Sequence, residues 1–172
     1  RGVGLDAVQA KIAELGGSIE MDSKVDVGTT FIIKLPLTLS IIQALMVQIG
    51  KESFAIPLDV VERVVMVREK DIMQTSNQEV CKFQEGLIPI IRTDKLLQVP
   101  SSSSDKKYAI IVKIGKQYYG VLVDTMVGQQ EIVIKKIDPM LQKIKKYQGA
   151  TILGNGSIAL ILDVNAICNS RQ

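Results

Sequence analysis

Two glycines and a threonine carry the first readable chemistry. Gly2-Val3-Gly4-Leu5 opens a run whose apolar residues fall at Leu5, Val8, Ile12 and Leu15, steps of three and four that predict one helical face. Glycines at a helix start let the backbone come close to an anion. The helix N-terminus then turns unpaired N–H groups and a partial positive charge toward it. Alone, a Gly-x-Gly pattern more often marks only a tight turn. Thr29, in the turn Asp26–Thr29, adds a hydroxyl able to reach a phosphate, although its ordinary use is to form the turn. Elsewhere the chemistry is sparse. There is no histidine, which excludes imidazole acid–base work and a phospho-accepting histidine on this chain. Cys81 and Cys168 lack metal-ligand spacing and read as buried or half-buried thiols in a reducing cytoplasm. Asp59, Asp94, Asp124 and Asp163 fall at expected strand ends, where turns and helix caps are far commoner than a metal or acid–base pair. Lys135, Lys136, Lys143, Lys145 and Lys146 form a basic cluster, read as a solvated face ahead of a site for an acidic partner or nucleic acid.

The elements that hold these residues fall into two textures. After the helix, Gly16-Gly17 supplies a C-cap. Ile19 and Met21 alternate with polar residues through Ser18–Lys24, a half-buried strand, and Thr30–Leu35 forms a second strand that Pro36 stops. One helix and one hairpin cannot enclose a core, so residues 1–36 read as part of a larger domain. The chain opens on Arg1 without a secretory leader, and we expect it to begin inside a longer protein. From Gln43 onward short apolar runs alternate with turn residues. Strands are expected near 44–50, 52–57, 62–68, 79–84, 86–92, 107–115, 117–124, 130–136, 148–153 and 157–163, with helices near 93–98, 139–146 and 164–168. Ser101–Ser104 is a polar linker. Apolar residues at 47% can fill a core, and charged residues at 23% argue against disorder. No apolar run is long enough to span a bilayer. A net charge of +3, no Trp and only seven aromatics (4 Tyr, 3 Phe) offer little to nucleic acid.

The second texture repeats itself. Leu45-Met46-Val47-Gln48-Ile49-Gly50-Lys51 matches Ile110-Ile111-Val112-Lys113-Ile114-Gly115-Lys116 at an offset of 65 residues, and the register holds through Phe54/Tyr119 and Asp59/Asp124. Gly86-Leu87-Ile88-Pro89-Ile90-Ile91 resembles Gly156-Ser157-Ile158-Ala159-Leu160-Ile161 at an offset of 70. The expectation is two similar small barrels related by a pseudo-twofold axis, each built around one copy of the repeat, at about 43–100 and 107–170.

With these segments in order, the chain resembles a known family. Gly2-x-Gly4-Leu5 is similar to the second glycine box of histidine-kinase ATP-binding domains, and Gly28-Thr29 to their final glycine-threonine box. Leu35-Pro36-Leu37-Thr38-Leu39-Ser40-Ile41-Ile42-Gln43-Ala44-Leu45 resembles the junction of the chemotaxis kinases CheA, and residues 41–168 resemble their regulatory domain, homologous to the adaptor CheW. Gly149-Ala150-Thr151-Ile152-Leu153-Gly154 through Val164 is the strongest match. The resemblance implies a mainly β fold of two SH3-like five-stranded barrels. An α/β remnant of the ATP-binding domain precedes them at 1–36, with a junction at 37–42 and the CheW-like domain at 43–172. It implies an ATP-phosphate remnant at Gly2, Gly4, Leu5 and Thr29. ATP and Mg would serve the parent kinase, with neither expected on this chain, which lacks the adenine and Mg boxes and is expected to be inactive alone. It implies docking of CheW and of a chemoreceptor's cytoplasmic tip, in the cytoplasm at the membrane-associated receptor array, without membrane insertion or nucleic acid. Our candidates for the docking surface are Leu58, Val60 and Val61, for which core packing is an equal alternative. An SH3-like nucleic-acid-binding module is the competing reading.

Overall fold

A computed structural model of the chain describes residues 3–35, 40–138, 140 and 143–170. The chain divides into two compact units, Arg1–Leu39 and Ser40–Gln172.

In the first unit, helix α1 (Val3–Glu14) precedes an antiparallel hairpin of β1 (Ser18–Lys24) and β2 (Gly28–Lys34). Of the helix's apolar stripe only Ile12 is buried; Leu5, Val8 and Leu15 remain exposed. The helix closes where the Gly17 N–H donates to the Ile12 carbonyl at 2.9 Å. A Cβ on Gly17 would lie 2.4 Å from the Lys34 carbonyl oxygen, so glycine is what lets the helix end lie against the second strand. The hairpin leaves Met21, Phe31, Ile32 and Ile33 exposed.

The second unit is built of strands β3 (Ile41–Ile49), β4 (Glu52–Pro57), β5 (Val61–Arg68), β6 (Ile72–Gln74), β7 (Glu79–Phe83), β8 (Gly86–Arg92), β9 (Lys106–Ile114), β10 (Gln117–Val123), β11 (Thr125–Val133), β12 (Tyr147–Ile152) and β13 (Ile158–Leu162). Two short helices, α2 (Thr93–Leu97) and α3 (Val164–Asn169), follow β8 and β13. The strands form two sheets, ordered β5-β9-β10-β8-β7-β6 and β11-β3-β4-β13-β12. β11 starts earlier than the expected 130 because Gly128, at φ +143°, sits in a bulge that interrupts the alternation. Of the helix expected at 139–146, residues 139, 141 and 142 lie outside the described residues, and 143–146 are turn and bend.

The sheets do not follow the repeat as expected. Each takes one hairpin from one copy and its remaining strands from the other. The β3–β4 hairpin of the first copy lies between β11 and β13 of the second; the β9–β10 hairpin of the second lies between β5 and β8 of the first. The exchange is reciprocal in register. Val61 pairs with Val112 and Met126 with Val47, and the ladder slips by a bulge at Val61/Arg63 in one case and at Met126/Gly128 in the other. Both bulges are one offset of 65 apart. The cause lies in the turn Leu58–Val60, which leads the chain out of the five-stranded sheet at Pro57 and into the six-stranded sheet at Val61. The sequence cannot announce this choice. The edges of β3 and β9 carry nearly the same apolar pattern, and either would satisfy β5.

The third matched strand also needs a correction. Parallel pairing sets Phe54 and Ala55 beside Leu160 and Ile161, and Gly120 and Val121 beside Ile90 and Ile91. The equivalence of β8 and β13 is therefore 71 residues, one more than the glycine match suggests. At 71 the burial agrees position by position: Leu87 and Ile158 exposed, Ile88 and Ala159 buried, Ile90 and Ile161 buried. The glycines mislead because Gln84-Glu85 joins β7 to β8, whereas the longer segment 153–157 joins β12 to β13.

Three cores follow. Leu45, Val47, Ile56, Ile110, Val112 and Val121 belong to a core shared by both sheets. Residues on the opposite strand faces fill a core for each sheet: Ala109, Ile111, Ile88 and Ile90 in one, Ala44, Met46, Ala159 and Ile161 in the other. β3 and β9 are buried on both faces, which is why they read as unbroken apolar runs.

Candidate functional site

Asp124 and Lys107 form the most enclosed ion pair among the described residues. Asp124 follows β10, and Lys107 is the second residue of β9; they are 8% and 7% exposed. The Lys107 ammonium donates to Asp124 Oδ1 at 2.6 Å and to the Ser102 carbonyl at 3.2 Å. The backbone N–H groups of Gly50 and Ser102 donate to Oδ2 at 2.5 and 2.8 Å. Burial works against the charged carboxylate, but Lys107 and the two backbone donors outweigh it and hold Asp124 below the usual carboxylate range. One carboxylate thus ties together the β3–β4 turn, the inter-repeat linker and β9. This is structural wiring.

A second polar knot lies at Arg92, the last residue of β8. Its guanidinium donates to both oxygens of Glu69, at 3.0 and 2.8 Å, and to Glu79 at 2.5 Å. The Arg92 hydrogen bond holds Glu69 below its ordinary range, and Glu69 in turn raises Arg92. Asp163 caps α3 by accepting from the Ala166 N–H at 3.1 Å. Asp94 lies in the first turn of α2. No group of three or more Cys, Asp or Glu able to hold a metal occurs among the described residues, and none of their helices is long and apolar enough to cross a membrane. In the basic cluster, Lys146 donates to the Leu96 carbonyl at 2.7 Å, while Lys135, Lys136, Lys143 and Lys145 are exposed.

Of the phosphate candidates, Gly2 lies outside the described residues. Gly4 and Leu5 are exposed on the first turn of α1, with open space where a Gly4 Cβ would project. Thr29 is exposed on β2, its hydroxyl 3.2 Å from that of Ser23. These residues offer exposed backbone and a hydroxyl. Leu58, Val60 and Val61 are half-buried in the crossing from β4 to β5, packed against the shared core. Leu58 and Val60 also line a cleft of about 370 Å³ with Ile42, Asp59 and Asp163.

Several apolar side chains that stand well into solvent on the second unit's strands are ones the sequence reading missed. Ile152 and Ile158 are cross-strand partners at the end of the five-stranded sheet, 54% and 67% exposed. Leu87, at the position equivalent to Ile158, is 55% exposed. The signal was present, since alternation marks these as outward positions filled by aliphatics, but the offset of 70 hid their equivalence.

Comparison with known proteins decides the family. The model of the CheW-like domain matches residues 43–172. The chain belongs to the CheW-like domain family. Its relatives include the chemotaxis protein CheA of Bacillus subtilis, 39% identical over 169 residues, covering 97% of this chain and 25% of that protein. The sensor histidine kinase CheAY of Helicobacter pylori is 39% identical over 174 residues, covering all of this chain and 22% of that protein. The chain thus spans about a quarter of the length of the curated relatives it matches. Among solved structures, the scaffolding protein TtCheW from Thermoanaerobacter tengcongensis superposes with a TM-score of 0.62 at 18% identity, over 74% of this chain and 92% of that one. The CheW-like fold of the second unit is mainly β, and the likeness to TtCheW speaks for the fold alone.

Proposed function

We propose that this chain is the regulatory and scaffolding portion of a chemotaxis histidine kinase. In this reading its CheW-like unit, with each sheet closed as an SH3-like barrel, docks the adaptor CheW and the cytoplasmic tips of chemoreceptors at the membrane-associated array. Docking couples receptor state to ATP-dependent histidine phosphorylation carried out elsewhere in the parent protein. One observation carries the reading: the likeness to the CheA proteins runs across 97% of the chain and so takes in the α1–hairpin unit as well as the CheW-like domain. An adaptor alone would account only for the second. In the parent, ATP would supply the phosphoryl group and Mg would offset the charge of its phosphates. Gly2, Gly4, Leu5 and Thr29 of this chain would contribute backbone N–H groups and a hydroxyl to the phosphate wall.

Exposed aliphatics support docking. Ile152 and Ile158 form an adjacent apolar pair that no other part of the second unit covers, and apolar patches of this kind are what protein interfaces bury. Leu58, Val60 and Val61 remain candidates at the crossing between the sheets. Isothermal calorimetry of the chain with purified CheW, in the absence of ATP, tests the proposal. Binding is expected, because recognition resides in the CheW-like unit. No heat at concentrations up to about 100 μM, for a chain shown to be folded, would count against it.

A further inference from the structure

The reciprocal strand exchange makes the two copies internal standards for each other, and one difference between them surrounds a matched aspartate. Register places Ile42 where the second copy has Lys107, since Ile42 pairs with Ile132 and Lys107 with Val67. Asp59 stands where the second copy has Asp124, and Val164 stands where the first has Thr93. In the second copy the carboxylate is buried under the Lys107 ammonium and the Ser102 backbone. In the first copy Asp59 is exposed and makes no hydrogen bond or ion pair with a described residue. Beside it, where the second copy is filled, lies the cleft of about 370 Å³.

The lining of that cleft says what fits. Ile42, Pro57, Leu58 and Val60 give apolar walls; Asp59 and Asp163 are its charged groups, and no Lys or Arg lines it. One Asp163 oxygen is already committed to the Ala166 N–H. No group of three or more Cys, Asp or Glu that could hold a metal ion gathers here among the described residues. A lysine has a methylene stem suited to apolar walls and an ammonium suited to one carboxylate. The second copy shows that pairing inside the same fold. Resting on the reading of this unit as a protein-docking module, we infer that the Asp59 cleft receives a lysine side chain presented by a protein partner, the ammonium on Asp59 and the stem along Ile42, Leu58 and Val60.

The test uses Nα-acetyl-lysine amide as probe and Nα-acetyl-norleucine amide as its uncharged control, titrated to millimolar concentration into the ¹⁵N-labelled chain. Lysine-specific shifts centred on the amides of Ile42, Asp59 and Asn165 are expected, at least fivefold smaller with norleucine and lost in Asp59→Asn. Ile42→Lys should fill the cleft as Lys107 does, abolishing the shifts while leaving the melting temperature at or above that of Ile42→Met. Equal shifts with norleucine, shifts that persist in Asp59→Asn, or no shifts at Asp59 would overturn the inference. So would an Ile42→Lys chain that melts well below Ile42→Met. CheW calorimetry separates the two readings. If CheW binds and no Asp59-centred shifts appear, docking stands and the lysine cleft falls. If lysine-specific shifts appear and CheW does not bind, the cleft stands and its partner is another protein.

Discussion

Replacing Asp124 by alanine should be among the most damaging single changes to this unit. The substitution leaves the Lys107 ammonium, 7% exposed, without its 2.6 Å partner. It also strips the Gly50 and Ser102 N–H groups of their acceptor. Removing one member of a buried ion pair costs about 3–5 kcal/mol, and each orphaned buried donor adds about 1–3 kcal/mol where water cannot reach it. Taking the ion pair alone, a loss of about 3–5 kcal/mol corresponds to a melting-temperature drop of roughly 10–20 °C for a domain of this size. Replacing both partners, as in Lys107→Met with Asp124→Ala, should recover at least about 1 kcal/mol of that, because no unpaired charge remains. The pH profile carries a sign. Asp124 is held below its ordinary range in the folded chain, so its contribution is complete above the unfolded value of about 3.9 and is lost as pH falls through the folded value. The stability gap between wild type and Asp124→Ala, from urea titrations, should be flat between about pH 7 and 5 and narrow below about pH 4. The equivalent change Asp59→Ala should shift stability by no more than about 0.5 kcal/mol, since Asp59 is exposed. An Asp124→Ala chain within about 0.5 kcal/mol of wild type would refute the argument.

Other expectations follow from the same geometry. Gly50 and Gly115 share a left-handed backbone, φ +61° and +65°, but a Cβ at Gly50 would lie 1.9 Å from the Pro100 carbonyl oxygen while Gly115 faces open space. Gly115→Ala should therefore cost about 1 kcal/mol and Gly50→Ala clearly more, as read by thermal melts. Val61→Asp should lower the melting temperature because Val61 packs against the shared core. Ile158→Lys should leave the melt unchanged and weaken CheW binding at least about tenfold by calorimetry. Arg92→Ala should let the Glu69 pKa rise toward its ordinary value, followed by carboxyl NMR titration, since the Arg92 hydrogen bond is what depresses it.

Local chemistry was legible in the sequence; the choice among distant partners was not. The Gly50-Lys51 and Gly115-Lys116 turns, the apolar runs of β3 and β9 and the strand ends at Arg92 and Leu162 lie at or within a residue or two of where periodicity and turn residues put them. Strand exchange escaped because two near-identical edges offer β5 the same pattern, and a three-residue turn decides between them. Asp124 could be placed at a strand end but not in a buried pair. Lys107 looks like any surface lysine until β9 is seen to be covered on both faces. Leu58, Val60 and Val61 were singled out for following Pro57, and the same turn that exposes part of them also seats them on the core.

The reciprocal exchange also sets a schedule for biosynthesis. β4 ends at Pro57, yet its parallel neighbour β13 begins only at Ile158. At roughly 5–20 residues per second, a ribosome takes about 5–20 s to supply the intervening stretch. Throughout that interval the β4 edge of the first hairpin has no backbone partner. The six-stranded sheet, whose strands all lie between Val61 and Val123, is complete in the nascent chain before β11 begins at Thr125, whereas the first hairpin waits for β11, β12 and β13.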